Sequence, residues 1–406
     1  MIYWAPLLHL YQPPTQSIDI LKRINKECYL PLFQMLERNS IVKVTLNING
    51  VLIDLLIDHG LGETVQKLSD LVEKGVIEII GTAKYHPLLP LIQEKEIRRQ
   101  IELNEQTNIK IFQNWEKKGF FPPEMAISAT VLKKIKSLGY EWVITSGIAC
   151  SNPWPYDKIY KTDYDLIIYH RDDIISNEIA FNKISAVKFI EKAKKLHDLK
   201  EFYLITAMDG ETFGHHIPNY EKKFLEKAFQ LVNKDHEIRT AFISDLHRIF
   251  PIENGSDPID SSWSTNYKDL KDSIPYPLWK NPLNSVHKLH FRMLRALDDL
   301  INLCDQNRNS DNSEFQDKYV TARYFYDRGI YSCPLWWGSL KPSWSPTLIY
   351  KGVHILLLSA LNAQLALVHL KISEGDVIFD RFIDYHHRLL SELVSITSKL
   401  SDLRTF

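Results

Sequence analysis

From residue 2 to about residue 250 the chain alternates between two periodicities, and few folds tolerate that. Short apolar, β-branched or aromatic runs recur at 2–10, 42–48, 76–80, 124–127, 142–145, 166–169 and 202–207. Between most of them lie stretches with helical spacing, at 18–38, 51–74, 93–117 and 130–138. Strand and helix in strict alternation predict a parallel sheet with crossover helices. An open doubly wound sheet would alternate as well, but the first run is followed by Leu10-Tyr11-Gln12-Pro13-Pro14 rather than by a glycine fingerprint. The expectation is therefore an α/β fold, an incomplete (β/α)7 TIM-like barrel over residues 1–255. A loop rich in Pro, Ser and Asp then runs to about Pro282, and helical stretches follow at 286–304, 319–326, 346–369 and 379–403. These predict a C-terminal α-helical domain over 256–406. The polar segment 305–317 has no apolar period and reads as a mobile loop.

A barrel keeps its chemistry at the C-terminal ends of its strands, so the polar residues there matter most. His9 and Gln12 follow the first run, Asn47 and Asn49 the second, Tyr85 and His86 the third, and His170 and Arg171 the sixth. The seventh run ends in Asp209-Gly210-Glu211-Thr212-Phe213-Gly214-His215-His216, and Glu124 follows Pro122-Pro123 beside the fourth. Two carboxylates on separate strand ends are the minimum for cleaving a glycosidic bond: one protonates the leaving oxygen while the other stabilises or captures the cationic centre. Each residue alone has a plainer reading, Glu124 as a solvated loop acid or helix cap and a lone histidine as a satisfied structural group. Their convergence on strand ends favours the catalytic one.

Composition narrows the remaining classes. A formal net charge of −1 provides no field for nucleic acid or an anionic membrane surface, and the lysines at 192–195 read as a solvated helix face. Cys28, Cys150, Cys304 and Cys333 show neither paired CxxC spacing nor the density of a secreted scaffold, so reduced thiols and a cytoplasmic setting are expected. No basic region and cleavable apolar core open the chain, and the apolar stretch 354–370 is interrupted by Ser359, Asn362 and Gln364. Neither a signal peptide nor a membrane span is expected. Oligomeric state is not legible.

Five segments together resemble glycoside hydrolase family 57. They are His9-Leu10-Tyr11-Gln12-Pro13-Pro14, Gly81-Thr82-Ala83-Lys84-Tyr85-His86-Pro87-Leu88-Leu89-Pro90-Leu91, Pro122-Pro123-Glu124-Met125-Ala126, Met208-Asp209-Gly210-Glu211-Thr212-Phe213-Gly214-His215-His216 and Cys333-Pro334-Leu335-Trp336-Trp337-Gly338-Ser339, in the family's order. The resemblance implies a barrel followed by a helical domain that helps wall the active site, and a retaining mechanism on α-glucans or related α-glycosides. It implies no metal or other cofactor. Glu124 is similar to the family's nucleophile and Asp209 to its general acid/base, while His9 and His86 correspond to residues lining the subsite at the cleaved bond. Gln12, Glu211, His215, Trp263, Trp336 and Trp337 are further candidates for contacting an oligosaccharide or polysaccharide. Two departures are visible: Pro122 stands where some members carry an aromatic residue, and the chain is short. Two other classes fit a seven-stranded barrel. A metal-dependent polysaccharide deacetylase would need two histidines and an aspartate on one ion, for which Asp58-His59 and His215-His216 are the available residues. A carbohydrate-binding protein of the same fold without turnover is the other.

Overall fold

A computed structural model describes residues 1–402 of the chain. The chain divides into two compact units, Met1–Trp263 and a second that begins at Ser264. The first unit contains ten strands: β1 (Ile2–Leu10), β2 (Val44–Ile48), β3 (Ile77–Ile80), β4 (Gly119–Phe120), β5 (Trp142–Thr145), β6 (Ile159–Lys161), β7 (Ile167–His170), β8 (Phe202–Asp209), β9 (Ile238–Thr240) and β10 (Ile252–Asn254). One parallel sheet runs in the order β3-β2-β1-β8 and a second contains β7-β5-β4. They join where the Gly81 N–H donates to the Gly119 carbonyl and the Phe121 N–H to the Gly81 carbonyl, both at 2.8 Å. On the far side the chain just past β7 meets β8 through one backbone–backbone hydrogen bond, Asp172 N–H to the Ile205 carbonyl at 2.8 Å. That thin seam makes this an incomplete (β/α)7 barrel, with β1, β2, β3, β4, β5, β7 and β8 as its staves.

The expected strand at 124–127 is displaced. Pro122 and Pro123 lack the N–H a ladder needs, so pairing stops after Phe121, and Glu124 falls in a tight turn, Pro123–Met125. β4 itself is two residues long and is covered by Trp142, whose Cζ2 would lie 2.0 Å from a Cβ at residue 119; only glycine fits there. β8 extends past the expected end at 207 as far as Asp209. β6, β9 and β10, of three residues each, carried no readable period.

The barrel interior is apolar at one end. Ala5, Leu7, Ile144, Ile205 and Ala207 pack there with Ala241, Ile243, Leu246 and Phe250. β9 pairs with Ile2–Trp4 at the start of β1, and the Ile243 N–H donates to Thr45 Oγ1 at the start of β2. The segment after β9 therefore fills the N-terminal mouth, and chemistry is left to the opposite end.

The second unit is helical, with Tyr267–Lys271, Ser285–Gln306, Ser313–Gly329, Cys333–Trp337, Pro346–His369 and Glu374–Asp402. Its core includes Leu297, Ile301, Val353, Leu356, Ala363 and Leu389. The mobile loop expected at 305–317 is shorter than that. Asn312 accepts from the Phe315 N–H at 2.9 Å, an N-cap, and buried Phe315 anchors the first turn of Ser313–Gly329. Leu403, the expected end of the last helix, lies outside the described residues. Among those residues Pro346–His369 is the helix long and apolar enough to cross a membrane; its Ile349, Val353, Leu356, Ala360, Ala363 and Leu367 are buried in the bundle.

Candidate active site

Parallel register alone brings three polar residues together. β1 pairs with β8 so that His9 stands opposite Asp209, and with β2 so that His9 stands opposite Asn47. Side chains two apart along a strand share a face, so His9 and Asp209 continue the inward rows of Leu7 and Ala207 into the open end. His9 Nδ1 lies 2.6 Å from Asn47 Oδ1 and its Nε2 lies 3.2 Å from His86 Nε2. The ring stacks on Phe121 at 4.6 Å, and Tyr11 stacks on His86 at 4.0 Å. Burial holds His9 down to about 4 and His86 well below the ordinary histidine value, so both rings are neutral at pH 7 and can hydrogen-bond as donor and acceptor.

Glu124 reaches the same place from a strained backbone. Its φ is 59° and that of His86 is 57°, a left-handed conformation that costs a side chain of this type about 1–3 kcal/mol. The cost is held by contacts around the turn: the Trp263 backbone N–H donates to the Glu124 carbonyl at 3.0 Å, and buried Met125 anchors the next position. Trp263 then uses its indole, donating Nε1–H to Glu124 Oε2 at 2.8 Å, while His86 Nδ1 stands 3.8 Å from Oε1. Arg171 completes the floor. It donates Nε–H to Asp173 Oδ1 at 2.7 Å and Nη1–H to the Ala207 carbonyl at 3.0 Å, with its guanidinium 5.5 Å from the Trp263 ring.

Three carboxylates in this region are pushed upward. Burial raises Glu124, and the neighbouring Asp209 charge adds to it, giving about 8 against the opposing Trp263 hydrogen bond. Burial raises Asp209 to about 6 while Arg171 pulls it down. Glu211 rises to about 7 through burial and Asp209. Repulsion keeps Glu124 and Asp209 from ionising together, so between about pH 6 and 8 the pair shares one proton; these values rest it on Glu124, and the form with Glu124 ionised and the proton on Asp209 is the minor tautomer of the same one-proton state.

These shifts have a cost in stability. A carboxylate raised in the folded state binds more protons there than in the unfolded chain between its unfolded value, about 4.3, and its folded one, so stability falls as pH climbs through that window. Glu124→Gln is expected to be more stable than the parent by about 2–4 kcal/mol at pH 8, with the gap closing toward pH 4. Denaturant titrations at the two pH values check this. A pH-independent difference would mean that Glu124 is not buried as an acid.

His9, His86, Glu124, Asp209 and Trp263 thus come together, and Gln12 joins through its bond from Nε2 to Glu211 Oε1 at 3.2 Å. His215 instead pairs with Glu27 Oε2 at 2.7 Å, away from these contacts. Trp336 and Trp337 are half-buried in Cys333–Trp337 of the second unit, where Trp337 meets Tyr331 edge-on. Tyr29 and Phe121 were not singled out as candidates; each is fully buried and touches the site only through residues distant in sequence. Among the described residues no three His, Cys, Asp or Glu side chains are arranged to hold a metal ion, so Asp58, His59, His215 and His216 do not form the set a deacetylase needs.

Comparison with known proteins places this geometry. Among curated proteins, the α-amylase of Pyrococcus horikoshii is 25% identical over 339 residues, which is 79% of this chain and 51% of that one. The 4-α-glucanotransferase of Thermococcus kodakarensis is 26% identical over 60% of this chain and 39% of its own. The chain therefore spans about half the length, or less, of these relatives. Among solved structures, a branching enzyme from Pyrococcus horikoshii superposes with a TM-score of 0.74 at 14% identity, covering 96% of each chain. Residues 6–255, the barrel and every site residue up to Glu211, match the family model for glycosyl hydrolase family 57, and the chain belongs to that family.

Proposed function

We propose that the protein is a retaining α-glycosidase or glucanotransferase acting on α-glucans by double displacement. The observation that carries this reading is the half-buried carboxylate pair on one continuous cluster: Asp209 stands opposite His9 at the end of β8, His9 Nε2 lies 3.2 Å from His86 Nε2, and His86 Nδ1 lies 3.8 Å from Glu124 Oε1 on its strained turn. Glu124 attacks the anomeric carbon while Asp209 delivers a proton to the departing oxygen. Asp209, now a carboxylate, takes a proton from water or from an acceptor sugar hydroxyl, and the glycosyl ester on Glu124 is cleaved with retention. The Trp263 indole N–H orients the nucleophile. Neutral His9 and His86 bind hydroxyls of the sugar at the cleaved bond, Gln12 and Glu211 border it, and His215 contacts a more distant sugar unit. Four free thiols fit a cytoplasmic enzyme.

Maltoheptaose with and without EDTA is the test. Chelator-resistant turnover is expected, with the α-anomer as first product; products longer than the substrate identify transfer, and short ones hydrolysis. Acetate released from chitooligosaccharides only without chelator, or binding with no turnover, would overturn the reading.

A further inference from the structure

The helix Glu94–Ile111 packs on the barrel with a face that is polar where such faces are usually apolar. Gln100, Asn104 and Asn108 stand four apart, on one side of the helix, and all three are completely buried. A buried amide is costly without a partner, and two of these find theirs in the loops that leave β2 and β3. The Gly50 N–H donates to Asn104 Oδ1 at 2.8 Å. Gln100 accepts twice from the loop after β3: the Lys84 N–H donates to its backbone carbonyl at 3.0 Å and the Tyr85 N–H to its side-chain Oε1 at 3.1 Å. Lys84 adds a second hold on the same helix, its Nζ donating to Thr107 Oγ1 at 3.0 Å. One residue thus fixes the N–H groups of both residues ahead of His86.

We propose that Gln100 is a positioning residue for the sugar at the cleaved bond: by pinning the Lys84 and Tyr85 N–H groups it sets the His86 ring between His9 and Glu124. The proposal rests on the reading of His86 as a residue that binds that sugar. The loop needs such a hold, because His86 sits at φ 57°, a conformation that persists only where surrounding contacts over-determine it, and its own N–H makes only a long bond, 3.3 Å to the Ala83 carbonyl. Ala83 is held in turn, its carbonyl accepting from Asn49 Nδ2–H at 2.6 Å. The ring has little latitude. Asn47 Oδ1 can only accept, so neutral His9 carries its proton on Nδ1, and His9 Nε2 accepts from His86 Nε2–H at 3.2 Å. His86 Nδ1 then presents a lone pair on the side where Glu124 Oε1 stands 3.8 Å away. Gln100 acts from outside the barrel, where its neighbours Ile97 and Ile101 cluster with Phe120 and Val131.

Gln100→Met keeps the length of the side chain and removes Oε1. On maltoheptaose its kcat/KM is expected to fall by about 10- to 100-fold, mostly in kcat, because contacts to the sugar at the cleaved bond strengthen in the transition state and a shift of about 1 Å spoils them. In the full chain with nitrogen-labelled histidine and no substrate, NMR is expected to show the buried His86 Nε2–H resonance shifted or lost. Gln100→Met adds nothing to the kinetic loss in a His86→Ala background. Gln100→Asn, which draws the acceptor back by one carbon, gives the same signature and serves if Gln100→Met does not fold. Unmoved imidazole signals or an unchanged kcat/KM, with only Tm lowered, would reduce Gln100 to packing and overturn the proposal, as would a further loss from Gln100→Met on top of His86→Ala. Parental kinetics in His86→Ala itself would instead defeat the sugar-binding reading of His86. The imidazole signals, read without turnover, then still decide whether Gln100 sets the ring.

Discussion

Glu124→Gln is expected to lower kcat on maltooligosaccharides by about 10^4- to 10^6-fold while the protein stays folded. The substitution removes the attacking oxygen's charge at nearly constant volume, and a Gln carbonyl still accepts from the Trp263 indole N–H, so the turn keeps its anchor. Azide supplied with an activated glycoside should restore release of the leaving group, because a small anion fits where the carboxylate attacked. Near-parental activity without azide would sink the assignment, and so would a folded, inactive variant that azide does not rescue. The same variant carries the stability gain at pH 8, so one protein reports two consequences of one buried acid. Greater stability with less activity is the expected signature of a group kept for chemistry against its own folding cost.

Much of the barrel was legible because its strands are buried on both faces. β1 is buried from Ile2 to Leu10 without a break, and such runs declare themselves by composition. Asp209 was legible for the same reason, standing where such a run ends before a glycine. Glu124 was legible as a candidate but not as a conformation. The apolar run 119–121 and the residues after the two prolines look alike in sequence, and only the missing N–H groups divide strand from turn. β10, by contrast, is exposed at all three positions, and nothing in Ile252–Asn254 separates it from loop.

Long-range partners were the least legible part of the site. Trp263 could be chosen from its polar surroundings, 261–266, but its bond to Glu124 joins residues 139 apart in the chain, and no local rule encodes that. The Tyr29 hydroxyl donates to Glu211 Oε1 from 182 residues away. The π-helical turn that aims it, Asn25–Tyr29, replaces a stretch whose period reads as plain helix at 18–38. Arg171 was noted only as a strand-end residue; its work, bracing the Ala207 carbonyl and lowering Asp209, follows from how β7 and β8 meet at a nearly open seam.

Asp209→Asn is expected to cost about 10^2- to 10^4-fold on natural oligosaccharides, whose departing alkoxide is strongly basic, and far less on a dinitrophenyl glycoside, which leaves unaided. The comparison isolates proton delivery from binding, since both substrates place the same sugar against Glu124. The pH profile adds an independent sign. In the parent the active form carries one proton on the pair, so kcat/KM should be bell-shaped, rising near 6 and falling near 8. Removing Asp209 removes the alkaline limb, because no acid remains to lose its proton. It also removes the charge that raises Glu124, so the nucleophile should ionise below 8 and the acid limb should reflect that lowered value. A variant with an intact alkaline limb and no leaving-group dependence would exclude Asp209 as the acid. If Glu211→Gln then showed both signatures, the proton donor would be Glu211, with Asp209 as the buried charge beside it.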